Sequence, residues 1–279
     1  MKKISYIALF LFFFALSVNA QVTIAPTIIY IDPATKMGEY EINNITDESC
    51  EIEISFRFAH PVSDSVGNSL LKWEDSTTSP RSLNPYLKVF PKKLQLMPHQ
   101  SQRVKFLMFL PPDIEDGMYW TRVVTKTLPK SNIIDTISTD KGVKAGIIII
   151  REYANAIVYQ KGLIRTRLEA SEPWLQSDSI CVHVYFNLRQ TGNSPVWGVC
   201  DIKIINEDGK EVDKMLQPLA VYDEMKTKFT FSRYRVKPGR YTAEYRFSCE
   251  REDIPREKRT LFQPITGKFD FTVESPETQ

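Results

Sequence analysis

Histidine occurs only three times in 279 residues, at His60, His99 and His183. None has a second His, Cys or carboxylate at the spacing a metal ion needs, so no metal site is expected. Glycine is also scarce, with eleven in the whole chain. No Gly-rich loop precedes a helix, so nothing is shaped to cradle a phosphate. A nucleophile elbow and an HExxH pattern are likewise missing. The clustered carboxylates, Glu51/Glu53 and Asp113/Glu115/Asp116, read as a solvated strand face and a loop. Charge of one sign is lacking as well. The net charge is +2, with Lys/Arg and Asp/Glu interspersed, which leaves no basic stripe for nucleic acid. An enzyme, a cofactor and a nucleic-acid partner are therefore not expected.

The one long apolar run is at the start. Met1-Lys2-Lys3 is basic, Ile4 to Val18 is apolar with four phenylalanines, and Val18-Asn19-Ala20 ends it with small residues. That pattern is a secretory signal peptide, cut near Ala20/Gln21. No cysteine follows the cut, so a lipid anchor is not expected. No later run approaches the ~20 apolar residues of a membrane helix, so the mature chain is expected to be periplasmic and not inserted in a membrane.

Export permits disulfides, and four cysteines (Cys50, Cys181, Cys200 and Cys249) allow three complete pairings. Burial of all four as small hydrophobes is the competing reading.

What remains is strand-like. Val22 to Asp32 is broken by Pro26, and Gly38 to Thr46 ends in Asn43-Asn44. Cys50 to Ala59 alternates, with Ile52, Ile54, Phe56 and Phe58 on one face. Pro61 to Pro85 is rich in Ser and Asp and reads as a long loop. Leu87 to Phe90, Gln102 to Leu110 and Met118 to Thr127 follow as strands, then a polar turn over Pro129 to Asp140. The second half offers Leu163 to Ala170, Ile180 to Arg189, Gly198 to Asn206, Met225 to Tyr234, Gly239 to Cys249 and Gly267 to Val273. Asn206 to Lys210 reads as a hairpin turn. Pro238-Gly239-Arg240-Tyr241 reads as a turn whose tyrosine could lock a corner. Glu250 to Lys258 reads as a charged, exposed loop. Short strands and no helical period indicate an all-β chain of two immunoglobulin-like sandwiches, with domains at 21–160 and 161–279 after a signal peptide at 1–20. In such a second sandwich Cys200 and Cys249 fall on antiparallel neighbours, which favours that bridge.

Lys141 to Tyr159, KGVKAGIIIIREYANAIVY, stands apart. Val143, Ala145, Ile147 and Ile149 share one strand face, and Gly146, Ile148 and Ile150 the other. Four consecutive β-branched isoleucines favour strand over helix. A strand apolar on both faces is either buried on both or an edge awaiting a partner.

Several short segments, taken in order, resemble the periplasmic pilus-assembly chaperones. They are the proline-broken first strand, Tyr40-Glu41-Ile42-Asn43-Asn44, the strand from Glu51, and Leu87-Lys88-Val89-Phe90-Pro91 with Leu96 to Val104. His99 stands where the family usually has glycine. Pro111-Pro112 and Gly117 to Arg122 complete the set. The resemblance covers Val22 to about Tyr159. It implies a protein client, a pilin-like or other surface subunit, held by strand addition along the seventh strand of the first domain. Donor residues would be Val143, Ala145, Ile147 and Ile149. The family anchors a client carboxylate with an Arg in the first strand and a Lys in the seventh. The matching positions here, near Ile28 and Ala154, carry no charge, so Arg122 and Arg151 are the cationic candidates. A second reading is an envelope or secretion component on the same scaffold. Asp64-Ser65-Val66, Asp75-Ser76-Thr77, Asp135-Thr136-Ile137 and Asp178-Ser179-Ile180 resemble the O-glycosylation acceptor of Bacteroidetes periplasmic proteins, which implies that origin.

Overall fold

The computed structural model describes residues 22–75, 79–129 and 150–275. Val143, Ala145, Ile147 and Ile149 lie outside the described residues, as do Ser76-Thr77 and Asp135-Thr136-Ile137. Strands β1 (Val22–Ala25), β2 (Ile28–Tyr30), β3 (Met37–Asn44), β4 (Cys50–Ser63), β5 (Ser69–Glu74), β6 (Leu87–Phe90), β7 (Lys93–Leu96), β8 (Ser101–Met108), β9 (Gly117–Pro129) and β10 (Arg151–Lys161) come first. They are followed by β11 (Leu168–Ala170), β12 (Trp174–Ser177), β13 (Cys181–Gln190), β14 (Val196–Asn206), β15 (Glu211–Val221), β16 (Glu224–Ser232), β17 (Gly239–Ser248) and β18 (Ile265–Val273). Among the described residues no helix is long and apolar enough to cross a membrane. The described chain forms two compact units. The first falls within Met1–Phe56, Leu87–Phe109 and Arg122–Ile157, and the second within Arg57–Tyr86, Leu110–Thr121 and Val158–Gln279.

Strands β1 to β10 form a sheet in the order β1-β3-β8-β6 and a second sheet in the order β2-β10-β9-β4-β5, with β7 also on β4; β5 and the last residues of β4 fall in the second unit. Two of the chain's changes of sheet fall at a proline. Pro26 separates β1, paired with β3, from β2, beside β10; Pro91 separates β6, paired with β8, from β7, paired with β4. Proline cannot donate to a ladder, so it ends one pairing as the next begins. Tyr40, Ile42, Ile52, Ile54, Val104, Phe106 and Val123 bury alternate side chains in the core. The Tyr40 hydroxyl is satisfied by the Thr125 hydroxyl at 2.8 Å, and burial pushes its pKa well above the usual phenol range. His99 has φ of +56°, a left-handed conformation that glycine would adopt more readily. It occupies the third position of a turn closed by Gln100 N–H donating to Met97 O at 3.1 Å.

In the second unit β13 pairs with β16 on one side and with β11 and β12 on the other. The facing sheet runs β15-β14-β17-β18. This is an immunoglobulin-like arrangement in which β15 pairs with β14 rather than with β16. Val182, Val184, Phe186 and Leu188 of β13 meet Cys200, Ile202 and Ile204 of β14 in the core. Tyr241 enters β17 and donates from its hydroxyl to Lys237 O at 2.8 Å, the corner its position suggested. Tyr241→Phe is expected to cost about 1 kcal/mol, read as a lower urea midpoint. The Asn206–Lys210 turn forms with Gly209 at φ +76° and Asn206 N–H donating to Lys210 O at 2.9 Å.

Three sequence expectations change. Pro61 to Pro85 is not one loop, because β4 continues through Pro61 to Ser63 and pairs with β5. The turn between them is tied by Asp64 Oδ1, which accepts from Val66 N–H at 3.0 Å and Asn68 N–H at 2.8 Å. Leu163 to Ala170 is strand only from Leu168. The Cys200–Cys249 bridge is not formed, and all four cysteines are free. Cys200 stands opposite Phe247 across the β14–β17 ladder, which leaves Cys249 on a diagonal. Diagonal neighbours sit about 7–8 Å apart and their Cβ atoms somewhat less, whereas a disulfide needs Cβ atoms about 3.8 Å apart. Thiol counting under denaturing conditions should give four reactive groups per chain.

Asp178 repeats the Asp64 arrangement. Its Oδ1 accepts from the N–H groups of Ile180 and Cys181, each at 2.7 Å. These bonds, and then His183, hold the carboxyl below its ordinary range. A lowered folded pKa means the stabilisation is present above the unfolded value of about 3.9 and is lost as pH falls through the folded one. Asp178→Ala is therefore expected to flatten the acid limb of the thermal midpoint between about pH 5 and 2.

Candidate functional site: the β10 edge

β10 is the described continuation of the isoleucine segment. Ile150, immediately before it, is 47% exposed. Along the strand Glu152 and Ala154 are exposed, Arg151, Tyr153 and Asn155 are half-buried, and Ala156 to Tyr159 are buried. Alternation at the start gives way to burial on both faces. On one side lies β9 and on the other β2. β2 has three residues against eleven in β10. Most of that side of β10 therefore carries no partner strand among the described residues. Pro26 is the cause, since it shortens β2 by ending the preceding pairing.

The short partner is held in place by Asn155. Its Nδ2 donates to Thr27 O at 3.4 Å and Pro26 O at 3.5 Å, while Ala156 N–H donates to Thr27 O at 3.2 Å. Sequence reasoning passed over Asn155. Its signal was a polar residue interrupting an apolar strand beside the proline break.

The two cationic candidates stand on different strands. Arg151 opens β10, and its carbonyl accepts from the Thr127 hydroxyl at 3.4 Å. Arg122 is half-buried on β9, and its Nε is buried with no hydrogen-bond partner among the described residues. A buried donor left unmade costs ~1–3 kcal/mol, so this position favours an incoming acceptor. Ile28 on β2 is half-buried and Ala154 on β10 is exposed. Among the described residues no group of His, Cys, Asp and Glu could hold a metal ion.

No protein-family model matches the chain, and no curated relative matches it. Solved structures similar to it include the YadV chaperone, at 8% identity, covering 90% of this chain and 100% of that one, with a TM-score of 0.45. Another is a chaperone–tip adhesin complex of CFA/I fimbriae biogenesis, at 14% identity, covering 89% and 98%, with a TM-score of 0.43. A third is the CsuC–CsuE chaperone–tip adhesion subunit pre-assembly complex of Acinetobacter baumannii, at 9% identity, covering 76% and 91%, with a TM-score of 0.42.

Proposed function

We propose that this chain is a periplasmic chaperone-like protein that holds protein clients by strand addition along the seventh strand of its first domain, during assembly of a pilus or another surface structure. The reading takes the domains as 21–160 and 161–279, with 1–20 removed on export. The observation that carries it is the long β10, faced on one side by a strand of only three residues and preceded by an isoleucine-rich segment of matching period. Backbone groups along such an edge supply affinity, and alternate side chains supply fit. Val143, Ala145, Ile147 and Ile149 would be the donors. Arg122 supports the anchor role because its Nε is already desolvated and has no acceptor among the described residues, so a client carboxylate would satisfy it at little further cost.

The test uses the mature chain with Ile147→Asp and Ile149→Asp together. Thermal unfolding should stay unchanged while capture of a native client from periplasmic extract is lost. Unfolding of the variant would make the segment core, and retained capture would exclude it as the donor. Arg122→Leu separates anchor from scaffold. It is expected to leave stability equal or higher while weakening client binding by roughly tenfold or more.

A further inference from the structure

β18 is an edge strand of nine residues, ITGKFDFTV, which pairs only with β17 among the described residues. Its inner face is Ile265, Gly267, Phe269, Phe271 and Val273. Phe269 and Phe271 pack on the second unit's core, with their ring centroids 5.8 Å apart. Its outer face is Thr266, Lys268, Asp270 and Thr272, all exposed. Across that face charges alternate by strand: Lys203 of β14 stands opposite Glu244 of β17, and Glu244 stands opposite Lys268 of β18. The row thus ends at the edge on a positive charge. The next row ends on a negative one, where Asp270 accepts from the Thr242 hydroxyl at 2.6 Å.

We propose that the partner fitting this edge is a second copy of the same chain, adding its own β18 antiparallel about a two-fold axis at Phe269. Residue 268 of each copy then faces residue 270 of the other, so each charge row is continued by the opposite sign. Thr266 faces Thr272, Ile265 faces Val273, and Phe271 faces Gly267. Gly267 is already a site of close approach, since a Cβ there would strike the Tyr245 hydroxyl. Charge disfavours the two adjacent registers. Centring the axis on residue 268 would set Lys268 against Lys268, and centring it on 270 would set Asp270 against Asp270. Like charges directly opposite are destabilising. The contact is isologous and closes on itself, so it ends at a dimer.

Sedimentation velocity on the mature chain over a roughly hundredfold concentration range should show reversible dimerisation that weakens with salt. Lys268→Asp alone and Asp270→Lys alone should each weaken it by roughly tenfold or more, since each places two like-charged pairs in the contact. An equimolar mixture of the two variants should form a heterodimer, and the double variant K268D/D270K should dimerise like the parent. Circular dichroism of each variant checks that the sandwich is intact, and restored association in the mixture is itself proof of folding. A chain that is monomeric throughout would overturn the proposal, leaving Lys268 and Asp270 as charges that keep the edge unpaired. A dimer indifferent to both single reversals would overturn it equally.

Discussion

Phe186→Ala is expected to destabilise the second unit by about 3–5 kcal/mol. The ring is fully buried. It lies edge-on to Phe247 at 5.1 Å, Tyr245 at 4.9 Å and Phe229 at 5.9 Å between ring centroids. These partners come from β17 and β16, so the one side chain joins both sheets of the sandwich. Truncation removes its transfer free energy and leaves a cavity that three anchored rings cannot close. Domain stabilities run about 5–15 kcal/mol, so the variant should lose a large part of the whole. Urea unfolding followed by near-ultraviolet circular dichroism would measure it. Tyr185→Ala is the companion substitution. Tyr185 is also buried but lies on the other face of β13, stacked on Trp174 at 5.3 Å. Trp174 belongs to the four-residue β12, which can yield locally. A loss at Phe186 no larger than at Tyr185 would refute the inter-sheet role.

The same alternation made much of this fold legible in the sequence. Val182, Val184, Phe186 and Leu188 mark one face of β13 without ambiguity, and Ile52 and Ile54 do the same for β4. What escaped were strands whose stability is tertiary. β15 carries Pro218 within EVDKMLQPLAV, and proline argues against a strand unless it lies on an edge, where β15 is found. Pro61 hid the end of β4, and the Ser- and Asp-rich composition of residues 61–85 hid β5. β7 and β12 have four residues each, too few for a period to show. At the candidate site the proline break was visible, but its consequence was not. That Pro26 leaves β10 beside only three residues of β2 depends on sheet order, which no local pattern encodes. Arg122 could be named as a cation from sequence, yet the burial of its Nε, with no partner among the described residues, is a property of the packed strand. The preferred Cys200–Cys249 bridge identified neighbouring strands correctly and missed the offset along them.

Gly162→Ala should cost about 3 kcal/mol, and Gly209→Ala only about 1 kcal/mol, although both glycines lie in the left-handed region. Gly162 has φ of +59° and Gly209 +76°, so the backbone penalty is shared. The surroundings are not. A Cβ on Gly209 meets nothing within 4 Å, whereas one on Gly162 falls onto the Asp116 carboxylate. Asp116 cannot simply turn away. Its Oδ2 accepts from Leu163 N–H at 2.9 Å, and its carbonyl accepts from Arg81 Nη1 and Asn193 Nδ2, each at 3.2 Å. Asn193 in turn accepts from Arg165 N–H at 2.7 Å through Oδ1 and donates to Leu163 O at 2.9 Å. Displacing Asp116 therefore loosens a network rather than one bond. Its removal supplies the decisive measurement: in an Asp116→Ala background the Cβ of residue 162 finds space, so Gly162→Ala should there cost about as much as Gly209→Ala. Such coupling between touching residues is expected to reach about 0.5–3 kcal/mol. Strict additivity of the two substitutions would mean that φ alone requires glycine at 162, and that the carboxylate beside it has room to move.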